Sequence, residues 1–268
     1  MNRTSQFAAA ALLAAVGSAS SFTALQAQTF AYNPQDLILG FRQTGGSSDL
    51  EVNIGQASLY YNATPGSILT IGQYDNSQLS SAFSSLDNLS FSISGAVRAS
   101  GDPVNPIQTL WLTEPRLDLN TQTTPWLRQS QFSQGTVGGQ IAGIGSGGVS
   151  YAGSIPAGPN NTPTALVIPD GDPNAYHQFI GDSGDFNGTF QGNVENATGT
   201  GFGAGGQPLR SDLYQLRPGT GAGTYLGYFE LSPAGTMTFT AVPEPRAWSM
   251  VGLGGLLFVA TQRLRQAK

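Results

Sequence analysis

Three oxygen-bearing side chains at alternate positions, Asp170, Asp172 and Asn174, form the first group in this 268-residue chain whose types and spacing could do chemistry. Oxygen-only donor sets suit Ca2+, and this spacing matches the first three ligand positions of an EF-hand loop. Asp182, Asp185 and Asn187 follow nearby. The match stops at Ala175, where such a loop has glycine, and at Gly181, where it has a bidentate glutamate. Asp, Asn and Gly are also the ordinary turn formers, so turns account for the same residues. Calcium is the only cofactor the sequence suggests.

Other chemistry fares less well. Gly181-Asp182-Ser183-Gly184 follows His177, the only histidine. Acyl transfer needs a base seated on the serine and held by a third group, and nothing in this spacing supplies that. Gly143 to Gly148 and Gly201 to Gly206 both satisfy G-x-G-x-x-G. Neither sits in a strand-turn-helix unit with a suitable acid downstream, and 36 glycines produce such matches by chance. A carboxylate pair with Trp111 or Trp126 stacked on a sugar would make a glycosidase, but no spacing singles out a pair, and Trp in alternating apolar runs is usually core. No catalytic residue is expected, and the chain does not read as an enzyme.

Charge and composition narrow the partners. From Gln28 to Val242 there are fifteen acids against six arginines, a balance of about −9. That argues against nucleic acid or anionic lipid as a partner and leaves divalent cations and neutral polysaccharide. There is no cysteine, hence no disulfide frame, thiolate metal site or thiol chemistry.

The two ends look like export signals. Arg3, the ten-residue apolar run Phe7 to Val16 and the small residues after it have the pattern of a secretory signal peptide over 1–27. Cleavage after Ala19 or after Ala27 fits, with Ala27 preferred because the residues beyond it look like the start of a folded segment. At the other end Pro243 and Pro245 keep Val242-Pro243-Glu244-Pro245 extended. The apolar run from Ala247 to Ala260 would be ~21 Å long as a helix, and ~26 Å from Arg246 to Arg263, against ~30 Å of hydrocarbon. Arg263, Arg265 and Lys268 would hold the C-terminus on the cytoplasmic side. A buried core helix is the other structure open to so short a run.

Taken together, the motif 242–245, the apolar helix 247–262 and the basic tail 263–268 resemble the PEP-CTERM sorting signal of Gram-negative bacteria. The resemblance implies recognition by an exosortase-type processing enzyme in the membrane, cleavage near the motif and transfer to the cell surface or extracellular matrix. The stretches Asp36 to Arg42 and Ser211 to Thr240 resemble an ectodomain found in PEP-CTERM proteins of verrucomicrobial type, which implies no catalytic residues.

Between the signals, residues 28–241 read as one mainly β domain, an antiparallel sheet or sandwich with one or two short helices; the signal and transmembrane helices flank it. Strands are expected at Asp36 to Arg42, Glu51 to Ile54, Ser58 to Tyr61, Ser67 to Ile71, Thr109 to Thr113, Asp212 to Leu216, Thr224 to Leu231 and Thr236 to Thr240. Leu89, Phe91 and Ile93, alternating with serines, predict a strand with one buried face. Leu79, Phe83 and Leu86 predict a short helix capped by Asn76-Ser77. Val137, Ile141 and Ile144 place a helix within 125–155 despite seven glycines between Gly135 and Gly148. Pro156 to Asn174 reads as a loop, and Ser232 to Gly235 as a hairpin turn. The function expected is a surface or extracellular-polysaccharide component anchored by one membrane helix before sorting. A carbohydrate-binding or calcium-dependent adhesive module is the alternative, and a glycan-degrading enzyme comes third.

Overall fold

The computed structural model describes residues 29–156, 158–186 and 192–242. The signal segment 1–27, Asn187, Pro243 to Pro245, the apolar run 247–262 and Arg263, Arg265 and Lys268 lie outside the described residues. Among the described residues ten strands make a single antiparallel sheet curled into a half-barrel. They are β1 (Asp36–Gln43), β2 (Ser48–Gln56), β3 (Ile68–Thr70), β4 (Leu89–Ala96), β5 (Leu110–Pro115), β6 (Ala165–Pro169), β7 (Asn196–Ala197), β8 (Leu209–Leu216), β9 (Thr224–Leu231) and β10 (Met237–Ala241). Their order is β3-β10-β9-β8-β5-β4-β1-β2-β6, with β7 also paired to β4. The mainly antiparallel β expectation holds, but one sheet curls on itself where a sandwich would set two face to face. The helices are α1 (Ser58–Tyr61), α2 (Asn76–Ala82) and α3 (Gln131–Ser154).

Both faces of the central strands are covered, which is why stretches such as Leu37 to Phe41 are continuously apolar, whereas β10 alternates buried with half-buried residues. On one face Leu39, Phe41, Leu50 and Val52 meet Phe229 and Phe239 from the other arm of the curl. Helices α1 and α2 close that core: Tyr60 sits edge-on to Phe239 at 5.1 Å, and Leu79 is buried beside them. Ser58 to Tyr61, expected as a strand, is therefore one helical turn that inserts Tyr60. Asp75, not Asn76, caps α2, its side chain accepting from the amides of Ser77 and Gln78.

On the other face α3 lays Val137, Ile141 and Ile144 over Ile38, Leu110, Leu112 and Ile168. Each glycine would cost about 1 kcal/mol in an isolated helix. Here a side chain at Gly145 would strike the Tyr32 ring at 2.4 Å, so small residues let the helix lie close to its neighbours. This second cover also corrects the reading of β4, whose Ser92 and Ser94 are as buried as Phe91 and Ile93. Strand β6, inside the expected loop from Pro156 to Asn174, forms the edge beside β2.

Because every neighbour is antiparallel, the sheet has two distinct ends. One, the hairpin end, carries the β1–β2 turn, the β9–β10 turn and the finish of β6. The Ser232 to Gly235 turn is closed by Ser232 N–H donating to Thr236 O at 2.9 Å, with Gly235 at φ +82°. The other, the exit end, carries the β4–β5 and β8–β9 loops and the last residue of β10, Ala241. There Gln134 on the first turns of α3 donates to the carbonyls of Gln108 and Leu216, 2.7 Å each.

Candidate functional site

A cleft of about 530 Å³ opens at the hairpin end, lined by Arg42, Asp49, Asp170, His177, Ser183 and Glu195 among others. A local irregularity of the sheet builds it. Strand β4 pairs with β5 only through Ser94 to Ala96, then with β7 through Ser90 and Phe91. Where β5 splays away, Thr113 Oγ1 accepts from Ile93 N–H (2.9 Å) and donates to Val194 O (3.1 Å). The gap admits 193–197 and brings Glu195 to Arg42.

The short 3-10 turn Tyr176–Gln178 lies across β1 and β2 and fixes the floor. Gly40 makes this approach possible: an added Cβ would lie 2.2 Å from the Tyr176 ring. The Tyr176 hydroxyl donates to Glu195 Oε1 (2.9 Å) and meets Ser92 Oγ (2.7 Å). Glu195 Oε2 accepts from Arg42 Nε (3.1 Å) and Nη2 (2.6 Å), and Arg42 also donates to Gly181 O (2.8 Å). Burial pushes the Glu195 carboxyl above its ordinary value, although Arg42 and the Tyr176 hydroxyl pull the other way.

Beside this pair His177 Nδ1 stands 2.9 Å from Asp49 Oδ2 and 3.0 Å from Asp170 Oδ1. The His177 amide also donates to Asp49 Oδ2 (2.8 Å). Burial raises the Asp49 carboxyl above its usual range, against the hydrogen bonds from His177. These three side chains come from β2, the end of β6 and the 3-10 turn, and their donor atoms are close enough together to share one cation. Of the calcium candidates read from the sequence, Asp170 belongs to this group. Asp172 Oδ1 instead accepts from the Asn174 amide and side chain, 2.9 Å each, which makes a turn. Ser183 lines the cleft, but His177 Nε2 is 2.7 Å from Gln178 Nε2, so its second nitrogen is engaged there.

No Trp, Tyr or Phe lines the cleft among the described residues. Trp111 and Trp126, the sugar-stacking candidates, are both buried in the cores. The two G-x-G-x-x-G matches are equally structural: one runs inside α3, and the other is a 3-10 turn at Phe202–Ala204.

A second polar group lies on β5 and β8, where Glu114 is paired opposite Asp212. Arg116 donates to Asp212 (2.7 Å) and to the Tyr225 hydroxyl (2.7 Å). Burial and the neighbouring Asp212 push Glu114 up to about 7, although hydrogen bonds from Thr123 and Trp126 pull it down. Sequence reasoning found neither this pair nor Arg42–Glu195, since the partners are far apart in the chain. Compared with family models, with curated proteins and with solved structures, the chain matches none.

Proposed function

We propose that this chain is an exported envelope protein, inserted through its C-terminal apolar run and then sorted to the cell surface by an exosortase-type enzyme acting at Val242 to Pro245. There the β domain serves as a structural or interaction component of the extracellular polysaccharide matrix. The observation that carries the reading is the polarity of the sheet. Strand β10 delivers the chain to Val242 at the exit end, while the cleft of Arg42, Asp49 and Glu195 lies at the hairpin end. An eight-residue strand separates the ends by ~24 Å. A domain tethered at Val242 would hold its cleft away from the bilayer, open to matrix components. No helix among the described residues is long and apolar enough to cross a membrane, so the anchor in this reading is the run 247–262.

Fractionation of cells making wild type, Pro243→Ala and Glu244→Ala tests the reading. Wild type should leave the inner membrane for the surface or medium, and both variants should stay behind. Equal distribution of all three would refute sorting through the motif.

The acidic cleft also favours a second reading, a cation-dependent adhesive module, over one that stacks sugars on tryptophan. Glycan-array binding by the purified protein that requires added divalent cation would support it.

A further inference from the structure

The apolar side chains left at the surface are not scattered. Leu59, Ile68, Val104, Ile107, Leu127 and Phe132 are exposed, from 38% for Ile107 to 88% for Phe132, and all six belong to the exit end. Leu59 is on α1, just past the end of β2, and Ile68 begins β3, opposite Thr240. Val104 and Ile107 are in the β4–β5 loop. Leu127 is bridged to Ala222 in the β8–β9 loop, and Phe132 is on the first turn of α3. Only Leu117 and Val149 are comparably exposed elsewhere among the described residues.

Charge is sorted the same way. Of the fifteen acids counted from Gln28 to Val242, only Asp36 and Asp102 are at the exit end, and Asp36 is buried, accepting from Asn33, Asn53 and Gln56. Arg98, Arg128 and Arg217 are at this end, none of them in an ion pair among the described residues. The other three arginines, Arg42, Arg116 and Arg210, are each paired to an acid toward the hairpin end.

We propose that the exit end is a membrane-contact surface, which seats its apolar rim and its three arginines on an anionic bilayer while the acidic end faces away. The occupant follows from where the chain goes. Only residues 243–246 separate Val242 from the apolar run, and four residues reach ~14 Å at most. This step rests on insertion of the tail, the reading proposed above. The net charge of about −9 first argues against anionic lipid. However, the acids lie mostly toward the far end, ~24 Å along the strands, beyond a Debye length of ~10 Å at 0.1 M salt. What the lipid meets is a locally basic, apolar-tipped rim, the composition of an interfacial anchor.

The chain has no cysteine, so single labels can be placed in the full-length protein. Gln131→Cys, Leu256→Cys and Leu117→Cys would each carry an environment-sensitive fluorophore, in vesicles of phosphatidylcholine and phosphatidylglycerol with nitroxide-bearing lipid as quencher. Labels at 131 and 256 should be quenched, and the label at 117 should not. Arg98→Gln and Arg217→Gln should each weaken the contact at 131 on the order of fivefold, without changing quenching at 256. Quenching at 256 without quenching at 131 would overturn the contact surface and leave the tail reading standing. Quenching at 131 alone would keep the surface and refute the tail, and quenching at neither would refute both.

Discussion

Gly40→Ala is the sharpest test of how the cleft is held. The new methyl would sit 2.2, 2.3 and 2.6 Å from three carbons of the Tyr176 ring, so a rigid ring would have to retreat by roughly 1.5 Å to reach ordinary contact. Tyr176 is fully buried, and the move would break its hydroxyl contacts with Ser92 and Glu195. Overpacking costs about 1–3 kcal/mol, and each buried polar group left unpaired costs about 1–3 kcal/mol more. Counting the Tyr176 hydroxyl as the one group left unpaired, the sum is roughly 2–6 kcal/mol, or a fall in Tm on the order of 10 °C for a domain of this size. Thermal melting of the purified protein measures it. Tyr176→Ala should be costly alone but should lose less when combined with Gly40→Ala than the two changes summed, because the clash is then gone. A Gly40→Ala protein that melts within about 2 °C of wild type would show that the ring does not rest on Gly40.

Three further outcomes follow from particular groups. The Glu114 carboxyl, raised to about 7 from 4.5, holds a proton in the folded state that the unfolded chain has already released between those values, so stability falls as pH rises from about 4.5 to 7 and then levels. For a half-exposed group the loss is about 1 kcal/mol, and Glu114→Gln should flatten that part of a Tm-against-pH curve. Glu51 is fully buried, and neither carboxylate oxygen has a hydrogen-bond partner among the described residues; burial pushes the group well above its ordinary range. Glu51→Leu should therefore raise Tm at pH 8, by about 1–3 kcal/mol of stability, and a large fall in a urea titration would mean that the carboxyl is needed. Deleting 243–268 should leave melting cooperative and Tm unchanged, since the described residues by themselves supply two hydrophobic cores; loss of cooperative melting would show that the tail packs into the domain.

Much of the sheet is legible in the sequence because its strands are buried on both faces, as in Leu37 to Phe41, alternate buried with half-buried residues, as from Gly227 to Leu231, or end in turns with the right residues, as at Ser232 to Gly235. Helix α3 is legible through Val137, Ile141 and Ile144 even though its glycines argue against it. Three elements were hidden. Ser58 to Tyr61 has strand-like residues, yet Tyr60 is drawn into the core by Phe229, Phe239 and a hydrogen bond to Ile54 O. Strand β6 is five residues set among turn formers, and only its pairing with β2 makes it a strand. Strand β7 is two residues that exist because β5 leaves β4. The cleft was hidden for a related reason. Asp170 was visible as an acid near other acids, but its neighbours Asp49 and His177 and the Arg42–Glu195 pair depend on which strands adjoin. The exposed apolar rim follows from strand direction, which single residues do not encode.

The most direct test of the sorting account is the intact mass of the protein recovered from the cell surface or medium, which locates the mature C-terminus. The account predicts a species that ends at or near Val242 to Pro245 and lacks the apolar run from Ala247 to Ala260. A recovered surface protein whose mass extends through Lys268 would contradict it.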